Sequence, residues 1–102
     1  MNFEFANKEL IKLYTTGKSN KYRIPADIID KFFARIQQIE AANTIFDLTK
    51  NNSLNFEKLK GHNNHFSMRI NLKYRLEMEI HWINQEKTIG DFIISDISNH
   101  YD

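Results

Sequence analysis

Phe66-Ser67-Met68-Arg69-Ile70 and Arg75-Leu76-Glu77-Met78-Glu79-Ile80-His81-Trp82 alternate apolar and polar residues. A period of two predicts strands, because successive side chains of a strand point to opposite faces. Phe66, Met68 and Ile70 share one face of the first strand; Leu76, Met78, Ile80 and Trp82 share one face of the second. Ser67 and Arg69, and then Arg75, Glu77, Glu79 and His81, take the other side. Two neighbouring strands of this pattern bury an apolar side and leave arginines on an open one. Asn71–Lys73 joins them, and Asn84–Lys87 reads as a hairpin-like turn toward Asp91-Phe92-Ile93-Ile94-Ser95-Asp96-Ile97. Gly90 marks a bulge or a close backbone approach. Upstream, Asn55–Lys58 leads into the sheet with Phe56 buried.

The first half has a different period. Phe3 and Phe5 lie on one side of a short edge strand. Asn7 is placed to cap a helix with Glu9 in its first turn, with Leu10, Ile11 and Tyr14 as its stripe and Gly17 at its end. Lys18–Arg23 is a polar, basic connection. Pro25 fits the first position of a second helix, where a missing amide hydrogen costs nothing. Ile28, Ile29, Phe32, Phe33, Ile36 and Ile39 then recur at steps of three and four, a face wide enough to cover a small sheet. Asn43 or Thr44 restarts the helix, with Thr44 and Asp47 at capping-box spacing and Ile45 and Leu48 buried. Lys50–Ser53 is a turn. The predicted class is α+β: N-terminal helices packed on a C-terminal antiparallel sheet, in one domain over residues 1–102.

Composition excludes several functions. At 102 residues the chain supports one modest core, burying a little over ~60% of its unfolded surface. It has no cysteine, which rules out thiolate chemistry and a disulfide framework. No apolar run approaches the ~20 residues of a membrane span, and no signal-peptide pattern opens the chain. A cytoplasmic protein is expected. A formal net charge of +1 argues against a diffuse nucleic-acid footprint, so any such contact needs a local patch. There is no Gly-rich phosphate loop and no H-E-x-x-H string.

The open face gathers Lys60, Arg69 or Lys73, Arg75, His100 and Tyr101 as candidates. Cleavage of an RNA backbone needs such groups: one takes a proton from a ribose 2′-hydroxyl, another protonates the departing 5′-oxygen, and cations stabilise the phosphorane-like transition state. Histidine suits proton transfer near neutral pH, and arginine suits bidentate phosphate contact. Gly61 relaxes the backbone where Lys60 is aimed. His62 and His65 have a separation compatible with a metal pair, and Glu57 is a conceivable third ligand. No cysteine strengthens that set, and a route with the 2′-hydroxyl as nucleophile needs no metal-bound water. No metal and no cofactor are expected.

Leu59-Lys60-Gly61, then Phe66-Ser67-Met68-Arg69-Ile70-Asn71, Tyr74-Arg75-Leu76 and the closing Ile97-Ser98-Asn99-His100-Tyr101 resemble the HigB toxins, within the RelE/ParE-like killer proteins of bacterial toxin–antitoxin pairs. The resemblance covers almost the whole chain. It implies a small microbial-ribonuclease-like fold, ribosome-dependent cleavage of messenger RNA, and neutralisation by a cognate HigA-like helix-turn-helix antitoxin. It assigns the family lysine to Lys60, the phosphate-stabilising arginine to Arg75 and the C-terminal acid/base histidine to His100. The order here is His-Tyr, where some relatives end Asp-Tyr-His. Glu57 stands where some relatives place a histidine. Glu57, His62 and His65 therefore all stay open as the second proton-transfer group.

Each residue also has a plainer reading. Lys60 reads equally as a solvated lysine, Arg75 as a partner of Glu77 or Glu86, and Arg69 as a member of a cross-strand ion pair. His62 and His65 fit a polar loop, His81 a sheet surface, Trp82 a core and His100 an ordinary terminal residue. The competing function is a non-catalytic antitoxin- or nucleic-acid-binding module of the same fold.

Overall fold

A computed structural model describes residues 1–61 and 63–99. Strand β1 (Phe3–Phe5) is followed by helices α1 (Lys8–Thr16), α2 (Ala26–Ala41) and α3 (Phe46–Thr49) and a 3-10 turn at Asn52–Leu54. Then come β2 (Glu57–Lys58), β3 (His65–Arg69), β4 (Tyr74–Trp82) and β5 (Gly90–Asn99). They form one five-stranded sheet in the order β1-β5-β4-β3-β2. The expected α+β architecture is present. The pairs β2–β3, β3–β4 and β4–β5 are antiparallel, while β1 joins β5 in parallel, so the sheet is mixed.

The helix ends follow their local chemistry. The Asn7 side chain accepts from the Leu10 amide at 2.9 Å, and Gly17 ends α1 at φ 75°, a left-handed conformation that needs no Cβ clearance. Pro25 sits one residue earlier than expected, at the N-cap, where its carbonyl accepts from Ile28 and Ile29. Asp47 reaches back to the amides of Asn43 (2.8 Å) and Thr44 (3.3 Å), the acidic half of the expected capping box.

The core lies between α2 and one face of the sheet. Phe32, Ile36 and Ile39 of α2 are fully buried, as are Met68, Leu76, Met78, Ile80, Phe92 and Ile94 of the strands. Phe33 is half-buried. β1 is held by more than its hydrogen bonds. The Phe5 ring lies 5.2 Å from Tyr14 and 6.3 Å from Phe32, which ties the edge strand to both long helices. Phe56, expected to be buried, is half-buried and stacks on Phe66 at 5.5 Å.

Gly90 marks a close approach rather than a bulge. A Cβ there would meet Ile80 Cγ2 at 2.6 Å. The bulge lies further along β5, where Glu77 pairs with Asp96 but Met78 pairs with Ile94, leaving Ser95 over. The extra residue lets both Ile94 and Ile97 turn inward and sends Asp96 to the open face beside Glu77.

Candidate functional site

The register arranges the open face in rows. Arg69 stands directly opposite Arg75, with Ser98 beyond it. The next row is Glu57, Ser67, Glu77 and Asp96 across β2 to β5. After it come His65, Glu79 and Ile93, and then His81 opposite Asp91. The cations of the face are thus gathered at the end near the β3–β4 turn. Carboxylates and histidines fill the middle and the far end.

Arg75 departs from a freely exposed strand arginine. It is on the open face, as alternation predicts, yet only 5% exposed. The strand end is covered by the segment that leads from the 3-10 turn into β2. The guanidinium lies across β3 toward that segment. Nε donates to Ser67 Oγ at 3.0 Å and Nη2 to the Asn55 carbonyl at 2.8 Å. Glu57 Oε1 is 3.5 Å from Nη2 and is the ion-pair partner, in place of Glu77 or Glu86. Nη1 has no hydrogen bond among the described residues, and no buried side-chain nitrogen or oxygen there lacks a partner. Nη1 is thus the nitrogen of the guanidinium that has no protein acceptor among the described residues. Burial lowers the Arg75 pKa from its ordinary range. Glu57 and Glu77 oppose that shift, and Arg69 adds to it. The group remains a cation at any physiological pH.

The neighbours of Arg75 are fixed in several ways. Arg69 is half-exposed, and its carbonyl accepts from Arg35 Nε at 2.7 Å. Arg35 Nη2 also donates to the Ile70 carbonyl at 3.2 Å, so α2 grips the end of β3. Burial lowers the Arg35 pKa. Glu57 has a half-exposed side chain. Lys60 is exposed in the loop after β2, next to Gly61 at φ 80°. Lys73 is exposed in the β3–β4 turn, with Nζ 5.7 Å from the Tyr74 ring centre.

His65 lies two residues along β3 from Ser67, one row from Glu57. Its Nε2 is 3.3 Å from Glu79, whose other oxygen is 2.6 Å from His81 Nε2. His62, His100 and Tyr101 lie outside the described residues. Among the described residues no group of three or more His, Asp or Glu side chains is arranged to hold a metal ion.

The structure brings Glu57, Arg69 and Arg75 together, with His65 one row away. Lys60 and Lys73 are on flanking loops. Three further features were not foreseen. Ser67 was read as a polar residue of the alternating strand and as part of the stretch that carries the resemblance, but not as an acceptor for Arg75. The Asn55 carbonyl holds Arg75, and no residue-type pattern announces a main-chain acceptor. Tyr22 donates to Asp96 at 2.8 Å from the α1–α2 connection, and its pKa is raised, chiefly by burial.

A family model described as the RelE-like toxin of type II toxin–antitoxin system HigB matches residues 3–93. Among solved structures the chain is similar to a YoeB/ParE toxin from Agrobacterium tumefaciens, with a TM-score of 0.57 at 14% identity, over 99% of this chain and 100% of that one. At that identity the likeness is one of fold. No curated protein sequence matches the chain.

Proposed function

The chain belongs to the HigB-like family of RelE-like type II toxins, and from that premise we propose that it is a ribosome-dependent endoribonuclease that cuts messenger RNA and so inhibits translation. The observation that carries this reading is the state of Arg75. A structural arginine spends its donors on the protein. This one is withdrawn from water, held through Nε and Nη2, and keeps Nη1 without a protein acceptor among the described residues. A fixed cation with free donors suits a phosphate oxygen whose charge grows during reaction.

In the proposed step Glu57 takes the proton of a ribose 2′-hydroxyl. The 2′-oxygen attacks the adjacent phosphorus, and the bond to the 5′-oxygen breaks. The products are a 2′,3′-cyclic phosphate and a 5′-hydroxyl. His100 supplies the proton to the leaving 5′-oxygen, an assignment that rests on the family resemblance. Arg75 holds a non-bridging oxygen throughout, and Arg69 and Lys60 add positive charge. His62, His65, Lys73 and Tyr101 are assigned RNA contact. Glu57 is favoured over His65 as the base because it already pairs with Arg75, so its carboxylate sits within reach of the same phosphate.

The proposed partner is a HigA-like helix-turn-helix antitoxin encoded beside this chain, and the proposed place of action is the cytoplasm. No helix among the described residues is long and apolar enough to cross a membrane. The test is incubation of the protein with translating ribosomes, followed by mapping of message ends. Cuts at fixed positions within codons that disappear on adding the antitoxin are expected. Intact messages together with retained antitoxin binding overturn the enzyme in favour of a non-catalytic module.

A further inference from the structure

Arg75 is set in place by two groups that carry no charge. Ser67 is 1% exposed, and its hydroxyl accepts from Nε. Asn55 contributes only its main chain: its side chain is exposed, and its carbonyl accepts from Nη2. That carbonyl points at Arg75 because Asn55 is left-handed, at φ 43° and ψ 51°, where the chain leaves the 3-10 turn and doubles back into β2. Non-glycine residues rarely hold this conformation, and asparagine tolerates it better than most.

We propose that Ser67 and the left-handed backbone at Asn55 are positioning residues, which fix Arg75 through Nε and Nη2 and leave Nη1 for the substrate phosphate. The proposal rests on the ribonuclease reading for its functional half. Its geometric half stands apart from that reading. An arginine side chain has four rotatable bonds, and Arg69, a like charge, stands directly across the strand. Without the two acceptors only the ion pair with Glu57 draws the guanidinium toward β2. With them it is held before the substrate arrives, and the orientation is not lost again at the transition state. The ion pair with Glu57 cannot do this alone: it is longer, at 3.5 Å, and half in water.

The experiment uses the full chain and a double-mutant cycle. Ser67→Ala is expected to slow single-turnover cleavage on saturating programmed ribosomes by on the order of 10²-fold, with ribosome affinity changed less than about twofold. In an Arg75→Lys background the same substitution is expected to change little, because lysine has no Nε–H to hold. Equal losses in both backgrounds mean that Ser67 acts by supporting the fold, and they overturn the proposal. At position 55, Asn55→Gly is expected to keep cleavage and Asn55→Val to lose it, since glycine takes positive φ freely and valine does not. Wild-type cleavage by folded Asn55→Val counts against the backbone half. Proton exchange at Arg75 Nε, read by nitrogen-15 NMR, is independent of activity and is expected to accelerate at least tenfold in Ser67→Ala. If the wild-type protein does not cleave, the ribonuclease reading falls, and the clamp is still judged by that exchange rate: no change in Ser67→Ala overturns it.

Discussion

On the core side of the sheet Met68 pairs with Leu76 and Ile80 with Phe92, and all four are fully buried; on the open side the same strands set Arg69 against Arg75 and Glu77 against Asp96. Apolar cross-strand pairs stabilise a sheet, and like charges directly opposite destabilise it. One backbone register thus supports the fold on one face and opposes it on the other. The opposition is eased locally. Glu57 sits beside Arg75, and Tyr22 donates to Asp96. The lesson is a division of labour: substitutions on the core face are expected to change stability, and substitutions around Arg75 to change chemistry.

The strongest way to break this comparison on the stability side is Phe32→Ala. Phe32 is fully buried against the sheet and touches the rings of Phe5, Tyr14 and Phe33. Truncation is expected to cost ~3–5 kcal/mol in urea unfolding. A loss under about 1 kcal/mol contradicts this account of the core. Gly90→Ala is next, at about 1–3 kcal/mol. The added methyl meets Cγ2 of the fully buried, β-branched Ile80 and the His81 carbonyl at 3.0 Å, and neither yields easily. Unchanged stability means β4 and β5 part more easily than their register implies.

Glu57→Gln sharpens the comparison from the other face. The carboxylate is half-exposed, and glutamine keeps an acceptor near Arg75, so the stability change is expected to stay within about 1 kcal/mol. Cleavage is expected to fall by ~10²–10⁴, the usual contribution of a proton-transfer group. Full cleavage by Glu57→Gln passes the role of base to a histidine.

Asp47 belongs to neither face and gives the smallest effect. Its amide bonds from Asn43 and Thr44 hold its pKa below the ordinary 3.8. A depressed folded pKa adds stability that is present above the unfolded value and fades as pH falls through the folded one. Asp47→Asn is expected to be slightly less stable than wild type at pH 7, and the gap is expected to close in strong acid. Urea unfolding at both pH values checks this, and a gap that persists in acid rejects the cap as its cause.

The elements whose signal is local were legible in the sequence. Strict alternation marked β3 and β4, three- and four-residue steps marked α2, and Asn7 and Gly17 bounded α1. What escaped depends on distant partners. β1 is three residues long, and its parallel pairing is decided by the far end of the chain. Arg75 was placed on the correct face, but its burial follows from the path of residues 52–58 over the strand end, which no periodicity encodes. His65 was read as a loop residue, with His62 and Glu57 as its conceivable companions; the register that brings it to Glu79 exists only in the folded sheet. The contacts of Ser67 and Asn55 with Arg75 were missed for the same reason, since one is a diagonal contact and the other is made by a main-chain carbonyl.

The central claim is that the fixed guanidinium of Arg75 serves the transition state. Its most direct test is single-turnover cleavage by Arg75→Lys on saturating programmed ribosomes, with circular dichroism as the check on folding. Lysine keeps the positive charge and loses the planar fork. The account predicts a fall of ~10²–10³ in the cleavage rate, the scale of a lost oxyanion donor, with ribosome affinity retained. Cleavage near the wild-type rate by the folded variant would contradict it.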